Sequence, residues 1–93
     1  MKLEDMLPFG SIVSLKGGTR KVMIIGVFQI ALENNKMYDY CGCAHPYGYL
    51  NSDDIFLFNH DKIEKIYFRG YSDEELKDHY DDLLWERRMN NEG

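Results

Sequence analysis

The sequence predicts a small α+β domain: a barrel-like antiparallel sheet of five strands followed by one C-terminal helix, in a single domain over residues 1–93. Three observations point there. Short apolar runs alternate with turn residues from Gly10 to Gly70. Nothing with helical periodicity separates those runs, so the crossover helices that parallel strands need are missing. After Tyr71 the pattern changes to a capped amphipathic segment with one apolar stripe.

Taken in order, residues 1–9 are a lead-in, and Pro8 biases Leu7 toward extended geometry. A first strand follows at about 10–16. Gly17-Gly18 reads as a tight turn, because glycine reaches positive φ without steric cost. The second strand, about 20–30, contains the run VMIIGVF. Strict alternation places Val22, Ile24 and Phe28 on one face and Met23, Ile25 and Val27 on the other. With both faces apolar, this strand is expected at the centre of the sheet and covered on both sides. Gly26 within it marks a bulge or sharp bend.

Glu33-Asn34-Asn35-Lys36 is the next turn, and residues 36–44 form the third strand. HPYGYLNSDD is a loop punctuated by Pro46 and Gly48. Residues 54–58 and 63–70 complete the sheet and are joined through Asn59-His60-Asp61. In the last strand Ile66 and Phe68 alternate with Lys65, Tyr67 and Arg69, as in a half-exposed strand. The helix, about 73–88, opens with Ser72 as N-cap and Glu75 at N3, a capping box, with Tyr71 and Leu76 as a hydrophobic staple. Asp73, Glu74 and Glu75 suit its positive end, and Arg87 and Arg88 its negative end. Leu76, Tyr80, Leu83, Leu84 and Arg87 form the stripe that packs on the sheet or on a partner. The tail, 89–93, is expected to fray.

The chain has 93 residues, 44% hydrophobic and 29% charged, which fits one soluble globular domain and excludes folds of several hundred residues. Net charge is −5. Residues 1–71 hold eight acids and eight bases, whereas 72–93 hold eight acids and three bases, so the end segment supplies the whole excess. Nucleic-acid binding needs a basic patch. The nearest approach is Lys16, Arg20 and Lys21, read as a solvated hairpin end, so no nucleic-acid partner is expected. The opening MKLEDMLPFG lacks the apolar stretch of a secretion signal. No run reaches the ~18 apolar residues that span a bilayer. The expectation is a cytoplasmic protein without membrane insertion, and two cysteines agree with a reducing compartment.

Cys41, Cys43 and His45 alternate along a strand and could converge on one side, yet a structural zinc needs a fourth ligand from His60 or His79. Cysteines in strands are mostly buried small residues, and that is the reading taken here. No metal, cofactor or catalytic residue is expected, since no nucleophile–base pair, phosphate loop or dinucleotide fingerprint is visible. Asp53-Asp54 lacks the spaced oxygens of a calcium loop and suits a turn. The aromatic residues are more informative. Large rings crowd residues 38–68, too many for one small core, and surface aromatic residues favour protein interfaces. Tyr40, Tyr47, Tyr49 and Phe58 are expected as partner contacts, with Trp85 beside the helix stripe as a further anchor.

LPFGSIVSLKGGTRKVMIIG, YDYCGCAHPYGY and FNHDKIEKIYFRGYSDEE together resemble a family of small uncharacterised-domain proteins encoded beside LXG toxins in type VII secretion loci of Gram-positive bacteria. The resemblance covers about residues 7–76. Cys41 and Cys43 depart from it, standing where that family prefers aliphatic residues. The resemblance implies a non-enzymatic, cytoplasmic accessory protein that acts as a chaperone for a co-encoded LXG toxin before export. Gly17, Gly18, Pro46, Gly48 and Gly70 would be structural and the tyrosines plausible contacts. The alternative is an immunity protein that neutralises a toxin, and behind it a metal- or thiol-dependent enzyme. Homo-oligomerisation stays compatible with all three.

Overall fold

A computed structural model describes the backbone from Asp5 to Glu92 and side chains through Glu86. Five strands form one sheet: β1 (Ile12–Leu15), β2 (Lys21–Ala31), β3 (Lys36–Ala44), β4 (Phe56–Phe58) and β5 (Ile63–Phe68). The helix α1 (Glu74–Glu92) follows. All pairings are antiparallel and the order is β4-β3-β2-β1-β5. The α+β architecture and antiparallel sheet are therefore those expected. Closure is not: β4 and β5 are the two edges and do not pair, so the sheet is open rather than a barrel. It must nonetheless curl. Laid flat, five strands would put the edges about 19 Å apart. The five Cα steps from Phe58 to Ile63 reach at most about 17 Å extended, and here they include the 3-10 turn His60–Lys62.

The turns form for the reasons their residues suggest. In the β1–β2 turn the Gly18 N–H donates to Leu15 O at 2.9 Å, with Gly17 at φ 79°. In the β2–β3 turn Asn35 takes φ 57°, and the Asn34 side chain accepts from the Lys36 N–H. The bulge expected at Gly26 is present: pairing with β3 shifts by one residue between Ile24 and Gly26. Cys41 Sγ lies 2.7 Å from where a Cβ on Gly26 would sit, so only glycine leaves that sulfur its place.

The bulge also overturns the expected faces of β2. Val22 and Ile24 point into the core, but beyond the bulge the buried residue is Val27, with Phe28 only half-buried. The extra residue at Ile25 reverses the alternation. β2 is central, yet its outer face is not covered, since Ile25 and Ile30 are exposed. A single helix covers only one side of the sheet. β5 likewise is more open than a half-exposed strand, being exposed from Glu64 to Phe68.

Two further expectations change. The lead-in is part of the core: Met6 and Leu7 are buried with Val13, Ile24, Tyr40 and Tyr80. The helix cap is Asp73, whose Oδ1 accepts from the Leu76 N–H at 3.0 Å. Ser72 therefore lies one residue before the cap, and Tyr71 is exposed rather than stapled. Aspartate caps as well as serine does. Chain entry is set upstream, where the Gly70 N–H donates to Ser11 Oγ at 2.9 Å. The stripe is as expected, with Tyr80 buried and Leu76, Leu83 and Leu84 packed against the core. Helix α1 runs on to Glu92 through the tail expected to fray, there being no glycine before Gly93 to stop it. Gly93 and the side chains of Arg87 and Arg88 lie outside the described residues.

Candidate functional site

The loop between β3 and β4 displays the two tyrosines expected at a surface, Tyr47 and Tyr49, and beside them Leu50, which was not expected there. Tyr47, Tyr49 and Leu50 are 61%, 62% and 66% exposed. The loop is fixed at its start by two backbone bonds: the His45 N–H donates to Lys21 O, and the Gly48 N–H to Ala44 O, both at 2.9 Å. Gly48 holds φ 75°, and His45-Pro46 is a cis peptide. At its far end the Asn51 side chain accepts from the Asp53 N–H at 2.9 Å, starting the 3-10 turn Ser52–Asp54. Phe56, on edge strand β4 just beyond, is also exposed. Rings on an anchored loop can meet a partner with little ordering cost.

Two of the five expected contacts are elsewhere. Tyr40 is 0% exposed and Phe58 is buried beside it, with ring centroids 5.6 Å apart. Both are core residues, because β3 turns Tyr40 toward the concave face and β4 pairs Tyr40 with Phe58. Trp85 is exposed as expected, but it stands separately, on α1.

Tyr40 instead centres a polar network that the sequence reading missed. Its Oη accepts from the Leu7 N–H at 3.0 Å and is hydrogen-bonded to His60 Nδ1 at 2.8 Å. Asp39 Oδ2 accepts from the His60 N–H, and the Asp39 N–H donates to Asn59 Oδ1. From the other side Tyr80 Oη donates to Leu7 O at 2.9 Å. The lead-in is thus held between a strand tyrosine and a helix tyrosine. Burial pushes the Tyr40 phenol up to about 12, and burial likewise raises that of Tyr80. A buried hydroxyl needs partners, so Tyr38-Asp39-Tyr40 and the Asn59-His60 turn were the available signal. This network ties the lead-in, β3, the turn before β5 and the helix together.

Cys43 is buried and Cys41 half-buried. Burial, and then Cys43, raises the Cys41 thiol, which disfavours the thiolate that attacks or binds metal. Among the described residues no three His, Cys, Asp or Glu side chains come together as a metal-holding group. No helix there is long and apolar enough to cross a membrane.

Fold and surface together define a small α+β domain with an aromatic loop hydrogen-bonded at its two ends and a core stitched by two tyrosines. The chain belongs to the DUF4176 family, a domain of unknown function, which it matches over residues 6–78. No curated protein and no solved structure matches it.

Proposed function

We propose that this protein is a non-enzymatic, cytoplasmic accessory protein that binds a larger protein, a cognate type VII-secreted LXG toxin, before export. The observation that carries the reading is the loop at 45–51, where Tyr47, Tyr49 and Leu50 stand exposed on an anchored backbone. Contiguous exposed apolar side chains mark interaction sites, and tyrosine is among the residues that most often dominate binding energy. Trp85 supplies another exposed ring on α1. The partner's identity rests on the resemblance of the KGG hairpin, YDY segment and FNH turn to proteins encoded beside LXG toxins. The raised Cys41 thiol supports a non-enzymatic reading.

One observation favours a second reading, an immunity protein. Exposed Glu74, Glu75, Asp78, Asp81, Asp82 and Glu86 line α1 and suit the basic active site of a nuclease. Deleting the gene separates the two. A chaperone's loss lowers toxin abundance and export in the producing cell. Unchanged toxin levels with new sensitivity to that toxin would replace the first reading by the second.

A further inference from the structure

Three cations near the β1–β2 end of the sheet stand over aromatic rings and form no ion pair among the described residues. Arg20 Cζ lies 5.7 Å from the Tyr47 ring centroid. Lys21 Nζ and Lys65 Nζ lie 4.7 Å and 4.8 Å from the Tyr67 centroid. The register brings them there: Lys21 on β2 and Lys65 on β5 both pair with Ser14 on β1, so the three residues form one row across the sheet. Tyr67 is two residues beyond Lys65. Among the described residues the ion pair formed is Lys77 with Glu74 on α1, and none of these three cations takes part in one.

This corner is locally positive in a chain of net charge −5. Each cation–π contact is a weak attraction at an exposed site. Such contacts hold long side chains in place without cancelling their charge, so part of the ordering cost of binding an anion is already met. Tyr47 belongs to the loop at 45–51, and its contact with Arg20, the sequence neighbour of Lys21, links that loop to the lysine row. We infer that Arg20, Lys21 and Lys65, laid over Tyr47 and Tyr67, receive an acidic segment of the protein partner, its carboxylates on the cations and its apolar side chains against the rings. That the ligand is a protein rests on the partner-binding reading above; its acidity comes from the geometry. Nucleic acid fits less well, because duplex binders neutralise many phosphates and the acidic helix would repel a long polyanion.

The test titrates a capped hexaglutamate peptide into the isotope-labelled full chain at low salt, with hexaglutamine and a thymidine hexanucleotide as comparisons. Saturable amide shifts are expected at Arg20, Lys21, Tyr47, Lys65 and Tyr67. They should be absent with hexaglutamine and fade as salt rises, since screening weakens exposed charge contacts. Lys21→Gln with Lys65→Gln should bind about tenfold more weakly, a change of about 1.4 kcal/mol, while Lys21→Arg with Lys65→Arg should bind as wild type. If the glutamine variant melts early, the arginine variant and the position of the shifts decide. No shifts at this corner, shifts spread evenly over other faces, or tighter binding of the thymidine hexanucleotide would overturn the inference. Should the peptide fail while the toxin still co-purifies, this inference falls and the partner-binding reading stands. Should no toxin co-purify with the wild type, that reading falls whatever the peptide does.

Discussion

Replacing Tyr40 by Phe removes one oxygen from the centre of the core and leaves the ring. Packing against Phe58 at 5.6 Å is retained, so little apolar contact is lost. The Leu7 N–H, donating at 3.0 Å from a buried residue, loses that acceptor. An unsatisfied buried donor costs about 1–3 kcal/mol. His60 also loses the Tyr40 hydroxyl, but its ring is half-buried and can reach water, so its share is smaller. The expected loss is about 1–3 kcal/mol in denaturant unfolding at neutral pH, with melting lowered by about 4–8 °C per kcal/mol for a domain of this size. The variant should also respond differently to alkali. The Tyr40 phenol is raised from 10.0 to about 12 by burial. A raised phenol adds stability that is complete below pH 10.0 and lost as pH climbs through about 12, because the unfolded chain releases its proton first. Tyr40→Phe should therefore lose less stability than wild type over that window, with the Tyr80 contribution remaining. A cost below about 0.5 kcal/mol, the size of an ordinary surface change, together with an unaltered alkaline limb would refute the network as described.

Two other changes probe the bulge and the helix start. Gly26→Ala should cost about 1–3 kcal/mol by overpacking against Cys41 Sγ, and adding Cys41→Ala should recover most of it in the same unfolding assay. An uncorrected double variant would place the conflict elsewhere. Asp73→Ala should cost about 0.5–2 kcal/mol through the lost N-cap, whereas Ser72→Ala should be nearly silent; the reverse order would restore Ser72 as the cap.

What the sequence made legible was mostly local. Gly17 and Asn35 sit where positive φ is used, Gly26 lies at the register shift, and β3 occupies the expected 36–44. The stripe of Leu76, Tyr80, Leu83 and Leu84 also reached the core. The errors were non-local. One extra residue at Ile25 reversed the alternation, so Val27 rather than Phe28 is buried, and periodicity alone cannot say on which side of a bulge the count restarts. Tyr40 and Phe58 looked like surplus rings because the contribution of Met6 and Leu7 to a shared core with Tyr80 is set by contacts more than thirty residues apart. Tyr47 and Tyr49 were legible because Pro46 and Gly48 mark a loop, and loops lie at the surface. The cation row was not, since Lys21 and Lys65 meet at Ser14 only through the strand order.

The most direct test of the account is quantitative co-purification of the proposed LXG toxin partner with the tagged wild-type protein and with Tyr47→Ala/Tyr49→Ala. Both tyrosines are exposed loop residues, so the double variant should melt as wild type while toxin recovery falls at least about tenfold, a loss of about 1.4 kcal/mol or more. Toxin recovered in equal amount with the folded variant would contradict the claim that this loop is the binding surface.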